Sequence, residues 1–237
     1  MKIQLNKNRF LEYLEAIQKI NDIFIFDIIG DEGSVVTVNN DETCFLYATT
    51  KLPNSNNCTL NIPDCRKLSR VLKQLNEDIV ELTHTSNALK YTSKAAKFTY
   101  HLYDSDFLKR PAINPDKVKS FQFDITLDLK KDVIKNIVKN GSFVDQANKI
   151  YFYTEDGNLY CEITDKQRAN TDSFSMMIKE NVGFTLDHII FKLDNIQLLH
   201  LCSDDVLVKF HTSYKLLSFE FTNDDNKFTY ILTSLKQ

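Results

Sequence analysis

Tryptophan is absent from this chain of 237 residues, and glycine is scarce. The only glycines stand at 30, 33, 141, 157 and 183, so neither a GxGxxG turn nor a phosphate-cradling loop can be written. No nucleotide site is signalled. Cysteines at 44, 58, 65, 161 and 202 are odd in number and contain no CxxC pair. That excludes a zinc ribbon and a fully paired disulfide framework, and fits reduced thiols in a cytosol, packed as small apolar groups. His84, His101, His188, His200 and His211 never fall into HExxH or another metal-ligand spacing. Long apolar runs are missing as well. IFIFDII at Ile23 to Ile29 is too short to span a bilayer and is interrupted by Asp27, and MKIQLNKNRF has no signal-peptide stretch. The expectation is a cytoplasmic protein with no membrane contact, no metal, no cofactor and no catalytic apparatus.

What is present is ordinary globular composition, 43% hydrophobic and 26% charged, in a chain long enough for one large or two ordinary domains. The net charge of −3 argues against a wholesale basic surface, so any nucleic-acid role must rest on local patches. Acidic pairs occur at Asp204 with Asp205 and Asp224 with Asp225. They fall at expected turns, where Asp stabilises the bend through its own side chain, and read as structural.

Helical periodicity marks four segments. Arg9 to Ile20 carries Phe10, Leu14 and Ile17; a second helix opens at Pro63, with Leu68, Val71, Leu72 and Leu75 as its apolar stripe. Leu129 to Asn140 presents Leu129, Val133, Ile134 and Ile137 and stops at Gly141; Leu193 to Ser203 is the fourth. Alternating strand patterns fill most of the rest. KIYFYTEDGNLYCEIT reads as a hairpin turning at Asp156 and Gly157. The balance of few helices and many short strands gives an α+β class. LKRPAINPDKVKS, with Pro111 and Pro115, reads as a linker, giving domains at 1–107 and 121–237 around a linker at 108–120.

The chain writes KFTY twice, at Lys97 and at Lys227, a chain-half apart. Upstream, Asp78 set on Asp205 places Val71 and Leu72 on Leu198 and Leu199, and Ile79 and Val80 on Val206 and Leu207. Helix, acidic turn, strand, polar turn and KFTY strand recur in one order, which reads as a duplicated domain. Each copy holds two helices and about eight strands.

The basic residues are grouped. On a wheel of about 100° per residue, Arg66, Arg70 and Lys73 share an arc opposite the apolar stripe, with Lys67 at its flank. Lys131, Lys135 and Lys139 repeat the arrangement on the third helix, and Lys130 points elsewhere. A basic helix face is ordinarily solvated surface. Two such faces in an acidic chain fit contact with duplex phosphates, which carry no sequence information. No side-chain array for reading base edges accompanies them. The first helix would show Glu12, Glu15 and Lys19 outward, and the fourth Gln197 and His200, so neither repeats the stripe.

With its duplicated domains and intervening linker, the chain resembles the DNA polymerase sliding clamps, and most closely those of T-even-type bacteriophages. TLDLKKDVIKNIVKN followed by KIYFYTEDGNLYCEITD, and FKLDNIQLLHL followed by VLVKFHTSYKLLSFEFTNDDNKFTYIL, resemble the second clamp domain over almost its whole length. The resemblance implies helices packed on curved antiparallel sheets and a ring-shaped homotrimer around double-stranded DNA, bound without sequence preference. It implies a replicative DNA polymerase as tethered partner and a clamp loader to place the ring. It also implies a pocket for a polymerase tail peptide beside the linker, to which Ile113, Val118, Tyr230 and Leu232 are assigned by position. The other reading is a β-rich assembly protein with duplicated domains and no DNA role.

Overall fold

The computed structural model describes residues 1–104, 106–112, 121–141, 143–144, 147–168 and 170–235. Two compact units divide the chain: Met1–Asn40, Phe45–Ser120 and Asp224–Phe228 in the first, and Asp41–Cys44, Phe121–Asn223 and Thr229–Gln237 in the second. The first half of the chain runs β1 (Lys2–Asn6), α1 (Lys7–Ile20), β2 (Phe24–Ile29), β3 (Glu32–Val38), β4 (Cys44–Lys51), β5 (Cys58–Ile62), α2 (Cys65–Lys73), β6 (Ile79–Thr85), β7 (Ala88–Thr92) and β8 (Lys97–His101). The second half runs β9 (Ile125–Leu129), α3 (Lys131–Asn140), β10 (Lys149–Glu155), β11 (Asn158–Ile163), β12 (Phe174–Lys179), β13 (Ile189–Lys192), α4 (Leu193–Gln197), β14 (Val206–His211), β15 (Leu216–Asn223) and β16 (Asn226–Thr233).

The two halves have one element order and one strand order. Strands line up as β1-β6-β7-β8 and β5-β2-β3-β4 in the first, and as β9-β14-β15-β16 and β13-β10-β11-β12 in the second. KFTY occupies β8 and β16, the last strand of each half. The aligned aspartates serve the same place: the first N–H of α1, from Lys7, is accepted by the Asp78 carbonyl at 2.8 Å, and that of α3, from Lys131, by the Asp205 carboxylate at 3.1 Å. The class is α+β, as the sequence pattern requires.

Alternation in the strands decides which side chains reach the core. β9 buries Ile125, Leu127 and Leu129 and exposes Thr126 and Asp128 between them, a period of two that faces one side to the core. In the first unit Phe10 and Tyr13 of α1 meet Phe26 of β2 with ring centroids 5.8 and 5.7 Å away. In the second, Phe152 lies edge-on to Phe191 and Phe210 at 6.1 and 5.7 Å. Each such side chain stabilises by roughly 1.5–3 kcal/mol relative to exposure. Cys44, Cys65, Cys161 and Cys202 are buried, and burial pushes the thiols of Cys65 and Cys161 up to about 12. At Gly33 an added Cβ would lie 2.3 Å from the Phe26 ring, so the absent side chain makes room for that core aromatic.

Several helix boundaries differ from the sequence reading. Pro63 precedes α2, which begins at Cys65 after Asp64 accepts from Lys67 N–H at 2.7 Å. A favourable N-cap thus outcompetes an early proline. Leu129 is the last residue of β9, not part of α3, because its core-facing alternation continues that of Leu127. The fourth helix ends at Gln197 and continues as a 3-10 turn over Leu198–Leu201. Gly141 closes α3 in the right-handed region, and its value is space: an added Cβ would stand 3.2 Å from the Gln197 side chain.

Candidate nucleic-acid interface

α2 carries the stronger of the two basic faces. Its apolar side buries Cys65, Leu68 and Leu72, which leaves Arg66, Lys67, Arg70 and Lys73 exposed. Arg70 and Lys73 sit in the last turn, where cations complement the partial negative charge of the helix end. Arg66 is partly engaged: its Nε lies 3.6 Å from an Asp22 oxygen, with the Arg66 side chain 64% exposed. An exposed pair of that kind contributes at most about 1 kcal/mol, so Arg66 can exchange Asp22 for another anion. Lys67, Arg70 and Lys73 make no ion pair among the described residues.

α3 repeats the face in the second unit. Ile134 and Ile137 are buried, Lys135 and Lys139 are exposed, and Lys131 is half-buried at the helix start. Lys130, outside the stripe, pairs with Asp205 at 2.6 Å. The hydrogen bond from Lys130, with the Lys131 N–H behind it, lowers the Asp205 pKa. Sequence reasoning missed this use of Asp205, since the partners lie far apart in the chain.

The other two helices among the described residues lack a stripe, as expected. α1 exposes Asn8, Glu12, Glu15 and Lys19, while α4 and its 3-10 turn expose Asp194 and His200. The acidic turns prove structural. Asp225 pairs with Arg9 and, at 3.3 Å, with Lys51. No group of three metal-ligating side chains occurs among the described residues, and no helix among them is long and apolar enough to cross a membrane.

The residues assigned to a peptide pocket fare differently. Ile113 and Val118 lie outside the described residues. Tyr230 and Leu232 are 1% and 0% exposed. Both point inward from β16, so neither offers surface to a peptide, and the assignment is corrected for these two.

Solved structures of other proteins share the whole architecture. PCNA of A. fulgidus, from a complex with the C-terminal region of FEN-1, superposes with a TM-score of 0.77 at 13% identity, covering 100% of this chain and 98% of that one. The PCNA of Entamoeba histolytica gives 0.75 at 16% identity, over 99% and 98%. The DNA polymerase III subunit beta sliding clamp of Bartonella birtlesii gives 0.70 at 13% identity, over 100% of this chain and 65% of that one.

The chain has the sliding-clamp fold. No family model and no curated protein sequence matches it. In the clamp fold of this chain, the basic stripes fall on the second helix of the first half and the first helix of the second half. Both are long enough to hold three charges on one face, whereas α4 is too short for such a stripe.

Proposed function

We propose that the chain works as a DNA polymerase sliding clamp, a ring of three copies that encircles double-stranded DNA without sequence preference. The carrying observation is the coincidence of the clamp fold with exposed basic faces on α2 and α3 in a chain of net charge −3. Arg66, Lys67, Arg70 and Lys73, with Lys131, Lys135 and Lys139, would meet phosphates, and the acidic remainder would repel DNA elsewhere. A tethered polymerase stays at high effective concentration near its template, so processivity follows from topology with no bond made or broken by the clamp. A clamp loader would place the ring. Ile113 and Val118 remain the linker residues proposed to meet a polymerase peptide. The likeness to phage clamps in particular rests on chain length and element order.

The test is topological. The protein loaded on nicked circular duplex should stay bound through gel filtration and leave when the circle is linearised; equal retention on both forms would sink the ring reading. Arg70→Glu with Lys135→Glu should shorten residence on DNA of any sequence. For the parent, log affinity should fall by about 0.9 per neutralised phosphate per log unit of salt.

A further inference from the structure

We propose that Arg110 and Asp27 form a releasable clasp, which holds the segment from Leu102 to Pro111 over the outward face of β2 and β5 and opens to uncover the space beneath it. β2 points Phe24, Phe26 and Ile28 into the core, so Ile25, Asp27 and Ile29 face outward. Asp27 is the one acid among them. Each terminal nitrogen of Arg110 donates to a different Asp27 oxygen, one of the two bonds measuring 2.8 Å. Thr59, opposite Asp27 in register on β5, donates to the same carboxylate at 2.8 Å. The Arg110 hydrogen bond lowers the Asp27 pKa, with burial opposing it and Thr59 adding to it.

The other end of the segment is tied differently. Tyr103 N–H donates to the Asn61 carbonyl at 3.0 Å, and the Asn61 side-chain amide donates back to the Tyr103 carbonyl at 3.3 Å. Between the two ties lies open space in place of packed side chains. A cavity of about 680 Å³ has Ile25, Thr59, Asn61, Leu102, Leu108 and Arg110 among its walls. A second cavity, of about 150 Å³, shares Ile25 and Leu108 with it, so Leu108 stands as a partition between them. Phe107 lines neither: it is 73% exposed and stacks on Tyr103 at 6.0 Å.

Protein interiors are close-packed, and a void forfeits the dispersion contacts that its walls would otherwise make. The segment is therefore held chiefly by its ties. The Arg110 tie is the one that gives first, because the Arg110 side chain is 59% exposed and ion pairs of that kind are screened by salt. Its release leaves Asp27 the Thr59 hydrogen bond and Arg110 the solvent, so no buried charge is stranded. The segment then pivots about Tyr103, withdraws the Leu108 partition and joins the two cavities into one groove open to solvent. Phe24, Phe26 and Ile28 keep their places in the core. No residue assigned to DNA or to a polymerase peptide takes part, so the clasp stands or falls apart from the clamp reading.

The test is limited proteolysis of the full chain by trypsin, read as the rate of cleavage after Lys109. Trypsin needs an extended stretch of chain, so a clasped segment resists it, and at low protease the rate tracks the open population. Asp27→Asn and Arg110→Gln should each raise that rate about two- to fivefold, the range of an exposed ion pair. Cleavage at other sites should keep the parent's rate. Added salt should bring the parent up toward the variants and leave the variants unchanged, each rate being taken relative to a free peptide of the same 103–112 sequence. An unchanged rate in either variant overturns the proposal, as does an increase shared equally by every cleavage site, which would mark loss of the fold and not release of the segment.

Discussion

Tyr100 and Tyr230 close the two copies of KFTY, and their hydroxyls meet opposite fates. Tyr100 donates to the Asp64 carbonyl at 2.7 Å and accepts from Asp64 N–H at 3.1 Å, tying β8 to the start of α2. The Tyr230 hydroxyl is buried with no hydrogen-bond partner among the described residues, and burial raises its pKa. An unsatisfied buried hydroxyl costs about 1–3 kcal/mol, whereas a made hydrogen bond contributes about 1 kcal/mol net. Tyr100→Phe should therefore lower stability by about 1–2 kcal/mol, and Tyr230→Phe should leave it unchanged or raise it, as urea titration would show. A stability loss in Tyr230→Phe equal to that in Tyr100→Phe would count against this account. Asp41 makes a second test. The Lys192 ammonium, bonded at 2.7 Å, and then the Thr43 hydroxyl hold its carboxyl at about 2, below the ordinary 3.8. A depressed carboxylate pKa contributes stability above the unfolded value and loses it as pH falls through the folded one. Between pH 3.8 and about 2 the melting temperature of Asp41→Asn should fall less steeply than the parent's.

At the scale of elements, α1 and α2 begin in one way and α3 in another. Asn6 caps α1 by accepting from Arg9 N–H at 3.2 Å, and Asp64 caps α2 from the residue directly before it. Lys130 gives α3 no side-chain cap, and Asp205 is brought there by the turn before β14. Asp64→Ala should cost about 0.5–2 kcal/mol, the usual range for a lost N-cap. Asp205→Ala should weaken α3 and show as faster amide exchange in its first turn. Exchange unchanged from the parent would mean that the Asp205 contact adds nothing. The local caps were available to sequence reasoning at Asp64, yet Pro63 drew the boundary two residues early. Asp205 could be found only through its alignment with Asp78, because the bond it makes spans most of the second half.

At the scale of the molecule, the sheet edges bear on assembly. The β1 edge is covered by Asn56, which bonds both backbone groups of Lys2, and β5 by Tyr103 N–H at the Asn61 carbonyl. Leu235 N–H covers β13 at Ile190, at 2.9 Å. β8 and β12 end their sheets with no such cover among the described residues. An open edge is a template for another strand, and head-to-tail pairing of unlike edges builds a closed ring when the rotation allows. If copies of this chain pair β8 with β12, light scattering over a concentration series should find trimer. Thr99→Pro on β8 should shift the mass toward monomer by removing an edge donor. Monomer alone at every attainable concentration would remove the ring.

Sequence alone determined the class, the duplication and the two basic faces. These depend on local periodicity: alternation in β9, the heptad-like spacing of Leu68, Leu72 and Leu75, and i, i+4 lysines on α3. Such patterns hold wherever one face of an element must be dry. Tertiary structure alone decided that Tyr230 and Leu232 are core, since a strand's period shows two faces without naming the buried one when both are apolar. It alone brought the Lys131 N–H and the Lys130 ammonium to the Asp205 carboxylate, at 3.1 and 2.6 Å, because the turn before β14 meets the start of α3. Their sequence spacing carries no trace of that proximity.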